Sequence, residues 1–236
     1  MTLTQATLYT DNNYYASRGL NIMTPLNEQA YQHLQKLIIQ GEFEYNKIYS
    51  ETKLSRELGI SRTPFRDAVH RLAQEGYIDI IPSKGFMLHQ LTRQDIDETF
   101  QVRSALECYC TLAITKAHKN RSVKKLLKEL RMLTDILKEI MDSGGSIEEF
   151  CEYDFQYHTK IIDYSENRQF VSIFATFKYR MRKLAELSLA HEGRMQDTYE
   201  EHLAIVEAME NNDTEHIYEI TLAHMNTARK INLDDL

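Results

Sequence analysis

The sequence contains few residues of the kinds that interrupt helices or cross-link chains. Its 236 residues include three prolines and eight glycines, so few positions require a turn and an α-rich protein is favoured. The cysteines, Cys108, Cys110 and Cys151, are odd in number and form no Cys-x-x-Cys pair. They argue against a disulfide scaffold and fit small buried residues in a reducing compartment; a redox role for Cys108 and Cys110 is the lesser alternative.

Long apolar segments are also missing. No run approaches the roughly 20 apolar residues that a membrane-spanning helix needs. The first residues lack the basic region and apolar core of a secretory signal peptide. We therefore expect a cytoplasmic protein with no membrane partner. A chain of 236 residues has room for one large or two small domains.

Residues 50–88 combine two short helical patterns with a strand–turn–strand pattern. The first helix is predicted over 51–58 and ends before Gly59, which permits a tight turn. The second is predicted over 63–75, where apolar residues recur at the i, i+3, i+4, i+7 spacing of one buried stripe, namely Phe65, Ala68, Val69 and Leu72. Two helices joined in this way predict a helix-turn-helix, whose second helix lies in the DNA major groove.

A different face of the second helix carries groups that can contact DNA. Arg62, Arg66 and His70 are each one helical turn apart, and Ser61 is a natural N-cap followed by Arg62 and Thr63. An arginine can donate two hydrogen bonds to guanine, and serine and threonine hydroxyls reach bases or phosphates. These residue types fit a recognition helix.

A β-hairpin is predicted directly after this helix. Residues 77–81 and 86–88 have strand character and flank a turn that contains Lys84 and Gly85, which gives a wing with a small basic tip. The alternative interpretation of the whole stretch is an amphipathic helical hairpin with a solvated arginine face. The wing and the polar run that begins at Ser61 favour DNA binding.

The charge is unevenly distributed for a DNA-binding protein. Residues 25–90 hold eight basic and eight acidic side chains, whereas residues 91–236 hold 19 basic and 26 acidic ones, which accounts for the net charge of −7. The first segment lacks a strong electrostatic footprint. Affinity for DNA must then depend on locally placed arginines and on the binding of two half-sites at once, which favours a homodimer. The acidic segment should face away from the duplex.

The rest of the chain predicts a domain organisation that is mainly helical. Residues 1–24 are polar and are interpreted as an N-terminal arm, with a strand-like segment as the alternative. Residues 25–90, with a first helix over 27–40, form the DNA-binding domain, and residues 91–236 form a second, all-α domain. Thr92 is a good N-cap for its first helix, with Asp95 placed for a capping box. Six antiparallel helices are predicted, over 93–118, 121–142, 146–164, 167–190, 194–211 and 213–231.

Three histidines and one aspartate of the second domain form a candidate metal site. Asp154 and His158 are four residues apart on one helix face, and His202 and His224 lie on later helices at core spacing. Imidazoles and a carboxylate that converge inside a bundle can bind zinc, our first choice, or nickel, manganese or iron, with positions left open for a small anion. The alternative is three unrelated histidines, each satisfied by its neighbours.

The N-terminal part resembles the winged-helix domain of GntR-family transcription regulators. The resemblance rests on Glu51, Leu54, the run LGISRTPFRDAVHRLAQEGYI and the wing pair Gly85-Phe86, and it covers about residues 25–88. It implies that Arg62, Thr63 and Arg66 contact operator DNA and that Gly85 enters the minor groove at the wing tip. Thr52 departs from the family pattern, because many members have arginine there, which leaves one base contact in doubt.

The C-terminal part resembles the FCD ligand-binding domain of the FadR subfamily. The resemblance covers about residues 92–231 and rests on D-x-x-x-H, on E-H with alanine six residues on, on a histidine in the last helix and on Val102-Arg103-x-x-Leu106-Glu107. It implies that the metal ligands are Asp154, His158, His202 and His224. A bundle of six rather than seven helices is similar to the shorter, VanR-type group.

The same resemblance implies an effector site. Arg103 would point into the cavity and bind an effector carboxylate, and an ion pair with Glu107 on the helix face is the alternative. Asn167 and Arg180 are weaker candidates. We therefore expect a homodimeric regulator, not an enzyme, whose affinity for double-stranded operator DNA responds to a small anionic metabolite. The alternatives are a regulator that responds to the metal itself, a metal-dependent hydrolase, and a structural metal or none.

Overall fold

Three helices and a hairpin form the N-terminal part of the computed structural model, which describes residues 24–236. The elements are α1 (Leu26–Ile39), α2 (Glu51–Glu57), α3 (Arg62–Gln74), β1 (Ile78–Ile81) and β2 (Gly85–Leu88). We refer to them together as the winged helix. The predicted arm, residues 1–24, lies outside the described residues except for Thr24.

The predicted apolar stripe of α3 forms the centre of the winged-helix core. Phe65, Ala68, Val69 and Leu72 are all buried, and they pack with the buried face of α1. The strands pair antiparallel, with Ile78 opposite Leu88, and the core side chains of this hairpin cover the end of α3. Burial of such a stripe is what fixes the rotation of α3, so the polar residues of its other face are turned outwards.

Seven helices follow in the described residues and form the helical bundle. They are α4 (Arg93–Lys116), α5 (Arg121–Ser143), α6 (Ile147–Asp163), α7 (Arg168–Thr176), α8 (Lys178–Leu189), α9 (Arg194–Glu210) and α10 (Ile217–Asp234). The predicted capping box at Thr92 and Asp95 is present. The mainly α fold class, with a winged helix before a helical bundle, is confirmed.

The predicted number of six helices in the bundle is wrong. The segment predicted as one helix, 167–190, consists of α7 and α8, which meet at Phe177. No glycine or proline marks this break in the sequence, because Phe177 interrupts the helix with φ of −93° and ψ of 0°, a conformation that does not require glycine. Helix number therefore no longer supports the expected likeness to the shorter VanR-type group.

The bundle core is built mainly from α4, α5, α6, α9 and α10. Leu130, Ile114, Tyr157, Val206 and Met209 are fully or almost fully buried in it. The three cysteines are buried and unpaired, and burial raises the pKa of each thiol, so they remain protonated core residues. None of the described helices has both the length and the apolar character that crossing a bilayer requires.

Candidate operator surface and metal centre

A concave surface is formed by the start of α2, the outer face of α3 and the wing, and the space in front of it has a volume of about 720 Å³. Arg62, Thr63, Arg66 and His70 line it from α3, and Lys84 lines it from the wing. Ser61 is the N-cap of α3, but its side chain makes no capping hydrogen bond, so its exposed hydroxyl is available to a ligand. The predicted DNA-contacting residues therefore lie on or beside one exposed surface.

The arginines of this surface are not engaged by acidic neighbours. Arg62 and Arg66 are exposed and take part in none of the ion pairs found among residues 24–236, whereas Arg71, on another side of α3, pairs with Glu28 and Glu75. Thr52 also lines the concave surface. The position at which the family pattern has arginine therefore faces the same space, with a shorter, uncharged side chain.

Gly85 occupies a position that only glycine can fill. It is buried at the start of β2, with φ of +135°, and a Cβ atom there would collide with the carbonyl oxygen of Tyr49. The turn itself consists of residues 82–84, so the most exposed part of the wing is next to Gly85. Close backbone packing explains why a glycine is needed; entry of Gly85 into a minor groove stays a prediction.

The three predicted histidine ligands converge inside the bundle. His158 on α6, His202 on α9 and His224 on α10 are buried, and the Nε2 atom of His158 lies 3.2 Å from that of His202 and 3.4 Å from that of His224. The fourth predicted ligand is also present, because Asp154 Oδ1 lies 3.5 Å from His202 Nε2 and 3.7 Å from His158 Nε2.

This spacing fits a single metal ion. Two nitrogens that are each about 2.0–2.1 Å from a tetrahedral zinc ion are roughly 3.3 Å apart, which matches the observed separations. Nitrogen and carboxylate oxygen donors in one buried cluster also match the preferences of zinc and neighbouring divalent metals. The residues therefore fit the metal that the sequence predicted.

Two of the histidines are oriented by glutamates. His158 Nδ1 lies 2.5 Å from Glu107 Oε2, and His224 Nδ1 lies 2.6 Å from Glu201 Oε2. A neutral imidazole that donates through Nδ1 leaves the lone pair of Nε2 free for a metal. The hydrogen bonds therefore select the tautomer in which Nε2, the atom that faces the cluster, is free to bind a metal.

Each of these glutamates is in turn held by an arginine. Arg103 donates from Nε to Glu107 Oε1 at 2.8 Å, and Arg194 donates to both oxygens of Glu201 at 2.9 and 2.7 Å. Burial alone would raise the pKa of both carboxyl groups, but the nearby arginines and histidines outweigh it and lower the net pKa of Glu107 and of Glu201. Both glutamates are therefore ionised at neutral pH.

His202 is held differently. Its ring stacks on Tyr157, with centroids 4.1 Å apart, and the Tyr157 hydroxyl donates to the His202 carbonyl oxygen at 3.1 Å. Its Nδ1 atom is buried without a hydrogen-bond partner among the described residues. Burial and the neighbouring His224 lower the pKa of His202, so its imidazole is neutral.

The charge state of the remaining cluster also suits a cation. Burial opposes ionisation of Asp154, but hydrogen bonding and charge from His158 and His202 lower the net pKa of the carboxyl group. Burial lowers the pKa of His224, and Glu201 offsets this only in part. His158 is the exception: burial is the largest influence and would lower its pKa, but the charge of Glu107 together with the hydrogen bonds to Asp154 and Glu107 raises the net pKa.

Two small cavities adjoin the cluster on the side of α8. Their volumes are about 10 and 20 Å³, and Arg103, Asp154 and His158 line both. Arg194 and Ser188 line the larger one, and each has a buried polar atom, Nε and Oγ respectively, that has no hydrogen-bond partner in the described part of the chain. The cavities therefore offer unused hydrogen-bonding capacity beside the cluster.

The sequence-predicted effector residues have three different positions. Arg103 lines the cavities, as an effector contact would, and it also forms the ion pair with Glu107 that was the alternative interpretation. Asn167 is the N-cap of α7, where its side-chain oxygen accepts from two backbone N–H groups, and it lines neither cavity. Arg180 lies near the start of α8, with Nη2 3.2 Å from Asp95, and it lines neither cavity.

Sequence reasoning did not assign roles to the groups that support the cluster. Glu107 belongs to a motif that had been singled out, but only as the partner of Arg103. Glu201 precedes His202 in the chain, yet it bonds His224 on another helix, and Arg194 and Ser188 carried no motif. The sequence signals for these groups are the i, i+4 spacing of Arg103 and Glu107 and the Glu201-His202 pair of the resemblance, which does not indicate that Glu201 bonds His224.

The described residues combine a winged helix, whose Arg62 and Arg66 are unpaired among residues 24–236, with a helical bundle that holds buried cavities and a histidine cluster. This is the architecture of one-chain DNA-binding regulators. Family comparisons agree: residues 26–88 match bacterial regulatory proteins of the gntR family, and residues 98–227 match the FCD domain. The chain belongs to the GntR family of DNA-binding transcription regulators that carry an FCD domain, and it is not an enzyme.

The similarity to known relatives and solved structures extends over most of the chain. An uncharacterised HTH-type transcriptional regulator, YdhC of Bacillus subtilis, is 25% identical over 86% of this chain and 89% of its own length. The gluconate operon transcriptional repressor of Bacillus licheniformis is 29% identical over 71% of this chain and 66% of its own length. The fold is similar to that of a GntR transcriptional regulator from Rhodococcus sp. RHA1, with a TM-score of 0.72, 16% identity and coverage of 90% of this chain and 100% of that one.

Proposed function

We propose that a small carboxylate-containing metabolite controls the operator affinity of this regulator by binding beside a divalent metal ion in the bundle. The observation that carries the proposal is the convergence of three histidine Nε2 atoms and the Asp154 carboxylate next to a cavity lined by arginine. The metal would supply an electrophilic contact for a carboxylate oxygen.

Asp154, His158, His202 and His224 would hold the metal. Zinc is the first choice because of the three imidazoles and the nitrogen spacing; nickel, manganese and iron are the alternatives that the carboxylate allows. Four protein ligands fill a tetrahedral zinc ion, so an exogenous oxygen would bind on expansion to five or six coordination, which leaves one or two positions. Arg103 is the second contact for the anion, since it lines both cavities and is buried there.

We further propose that the protein acts as a homodimeric repressor in the cytoplasm, where operator DNA is found. Two recognition helices on half-sites about 34–36 Å apart would compensate for the weak net charge of the winged helix. Exposed apolar residues of α4 and α7, among them Tyr109, Val171 and Ile173, give a surface for a second copy. Repression is supported by the names of relatives such as the gluconate operon repressor.

The test combines metal analysis with operator binding. A DNA duplex selected from a random-sequence library by the wild-type protein serves as the operator, and gluconate, lactate, acetate and citrate serve as candidate carboxylates. Elemental analysis should find about one metal ion per chain, and thermal-shift screening should find a carboxylate that stabilises the protein only when metal is bound. The same carboxylate should change the dissociation constant for the duplex.

Two outcomes would contradict this proposal. If metal alone changes operator affinity and no carboxylate adds to the effect, the protein is a metal-responsive regulator. If the purified protein binds no divalent metal, and the His202→Ala variant has the same metal content as wild type, the cluster is not a metal site.

A further inference from the structure

Helix α8 contacts both the cavities and the winged helix. Its later residues, Ala185, Ser188 and Leu189 among them, form one wall of the larger cavity, and Met181 and Ala185 form part of the smaller one. Its first residues, Tyr179 and Arg180, reach the segment that follows the recognition helix α3. One short helix of 12 residues thus spans the distance between the two regions.

The first contact is an aromatic stack. The Tyr179 ring lies on the Tyr77 ring, with centroids 3.9 Å apart and planes inclined by 22°, and Tyr179 packs against the winged-helix core. The Tyr77 hydroxyl accepts a hydrogen bond from Gln35 of α1 at 2.7 Å. Tyr77 comes three residues after the end of α3, so the stack connects α8 to α3 and α1.

The second contact involves Arg180. Its guanidinium group lies against Gly76, where an added Cβ would collide with it, and its Nη2 atom is 3.2 Å from Asp95 at the start of α4. Its Nε is buried without a hydrogen-bond partner among residues 24–236. Arg180 is therefore wedged between the chain that leaves α3 and the helix that begins the bundle.

The walls of the cavities differ in how firmly they are held. The histidines of α6 and α10 are tied by hydrogen bonds to Glu107 and Glu201, and that of α9 is stacked on Tyr157. In contrast, the residues of α8 that line the cavities are mostly apolar, and the Ser188 hydroxyl makes no hydrogen bond within the described chain. A space of about 10–20 Å³ holds about one water molecule, so a carboxylate must displace a wall. The wall formed by α8 is held mainly by apolar packing, apart from the ion pair between Arg182 and Glu152 of α6 at 2.8 Å.

We propose that α8 transmits effector binding to the DNA-binding surface. An anion that enters beside Arg103 displaces α8, and because packed helices move as units, the shift reaches Tyr77 through Tyr179 and Gly76 through Arg180. The orientation of α3 changes with these two residues. This inference rests on the proposed effector site, but it concerns the route of the signal and is testable without the effector or the metal.

The experiment replaces the ligand with a larger side chain in α8. Ala185 lines both cavities, so Ala185→Leu fills them and displaces the helix from within. With the full chain and the selected DNA duplex, the variant should change the dissociation constant by about fivefold or more, the lower end of typical coupling between sites. When Ala185→Leu is combined with Tyr179→Ala, this change in the dissociation constant should disappear. When Ala185→Leu is combined with Leu187→Ala, which lies on the exposed side of α8, the change should remain.

Hydrogen exchange gives a second measurement, and Ala185→Val gives a milder insertion if Ala185→Leu is poorly folded. The rate of backbone amide exchange at residues 76–80 should change in both Ala185→Leu and Ala185→Val. When either substitution is combined with Tyr179→Ala, the rate should equal that of the Tyr179→Ala variant alone. Unchanged DNA affinity and unchanged exchange at these residues in a folded Ala185 variant would overturn the proposal. So would a change in DNA affinity or exchange that persists when the Ala185 substitution is combined with Tyr179→Ala.

Failure of the proposed function would be visible separately. In that case metal and carboxylates would leave wild-type operator binding unchanged, while the Ala185 and Tyr179 variants would still show their coupling. The variants would then show that α8 is coupled to the DNA-binding surface and that a different ligand occupies the cavities.

Discussion

The operator surface and the bundle interior place charged side chains in opposite ways. On the operator surface, Arg62 and Arg66 are exposed and have no acidic partner among residues 24–236. In the bundle, Arg103 is 7% exposed and Arg194 is 3% exposed, and each is hydrogen bonded to a glutamate that orients a histidine. The same residue type therefore serves as a free contact in one region and as a fixed support in the other.

The difference follows from the cost of burying a charge. An exposed arginine stays hydrated until DNA phosphates or bases replace the water, so it needs no partner in the free protein. A buried arginine loses that hydration on folding and is tolerated only when it is paired and hydrogen bonded in advance. Substitutions on the operator surface should therefore alter DNA binding alone, whereas substitutions in the bundle should alter metal binding and stability together.

The largest effect is expected for removal of a histidine ligand. His158→Ala should lower the affinity for zinc by more than the roughly 10–100-fold that loss of a ligand's hydrogen-bond partner costs, because its Nε2 is close to those of both other histidines. Competition with a chromophoric chelator measures this. His33→Ala, an exposed histidine on α1, should bind zinc like wild type. Equal affinity in His158→Ala and His33→Ala would remove His158 from the site.

A smaller effect is expected when the support of a histidine is weakened. Glu201→Gln keeps an acceptor for His224 Nδ1 but removes the charge that also pairs with Arg194, so zinc affinity should fall by roughly tenfold. Thermal stability of the metal-free protein should also fall, because Arg194 is left buried without a counter-charge. Glu200→Gln, whose carboxylate is exposed, is the matched control and should change neither quantity. A Glu201→Gln variant that behaved like Glu200→Gln would show that the arginine–glutamate pair is not a support.

The contrast between the regions also explains what could be read from the sequence. Local patterns predicted the apolar stripe of α3, the turn at Gly59 and the capping box at Thr92, because each of these features depends on residues a few positions apart. The cluster of Asp154, His158, His202 and His224 is a candidate from residue type and helix spacing, strengthened by resemblance to a family, and it is brought together in the structure. Its ligand role stays a prediction until metal is measured.

Features that depend on packing between distant segments could not be derived in this way. Phe177 ends α7 without any helix-breaking residue, so the two-helix arrangement of 168–189 had no local signal. Glu201 bonds a histidine 23 residues away rather than its neighbour. Asn167 and Arg180, the weaker effector candidates by the same resemblance, line neither cavity. Asn167 is a helix cap, and Arg180 contacts Gly76 of the winged helix and Asp95 of α4.

On the operator surface, loss of an arginine should alter recognition without altering the fold. Arg66→Ala should weaken binding of the selected duplex by about 1–3 kcal/mol if its guanidinium group reads a guanine, and specificity should relax at that base pair. Its thermal stability and zinc affinity should match wild type, because the side chain has no partner to lose in the described part of the chain. Arg121→Ala, exposed at the start of α5, is the distant control. Unchanged affinity in a gel-shift titration would remove Arg66 from the recognition surface.

The smallest effect is expected at the wing. Lys84 is an exposed point charge in the turn between β1 and β2, with no fixed geometry for base recognition, so it suits a phosphate. Lys84→Ala should weaken binding to all duplexes by a similar factor and reduce the slope of log affinity against log salt by about 1, because one fewer counterion is released. Arg66→Ala should change sequence preference in addition to affinity, so measuring both variants against matched and mismatched duplexes over a salt series separates base reading from phosphate attraction. A salt slope that Lys84→Ala leaves unchanged would mean that the wing turn does not touch the DNA backbone, and recognition would then rest on α3 alone.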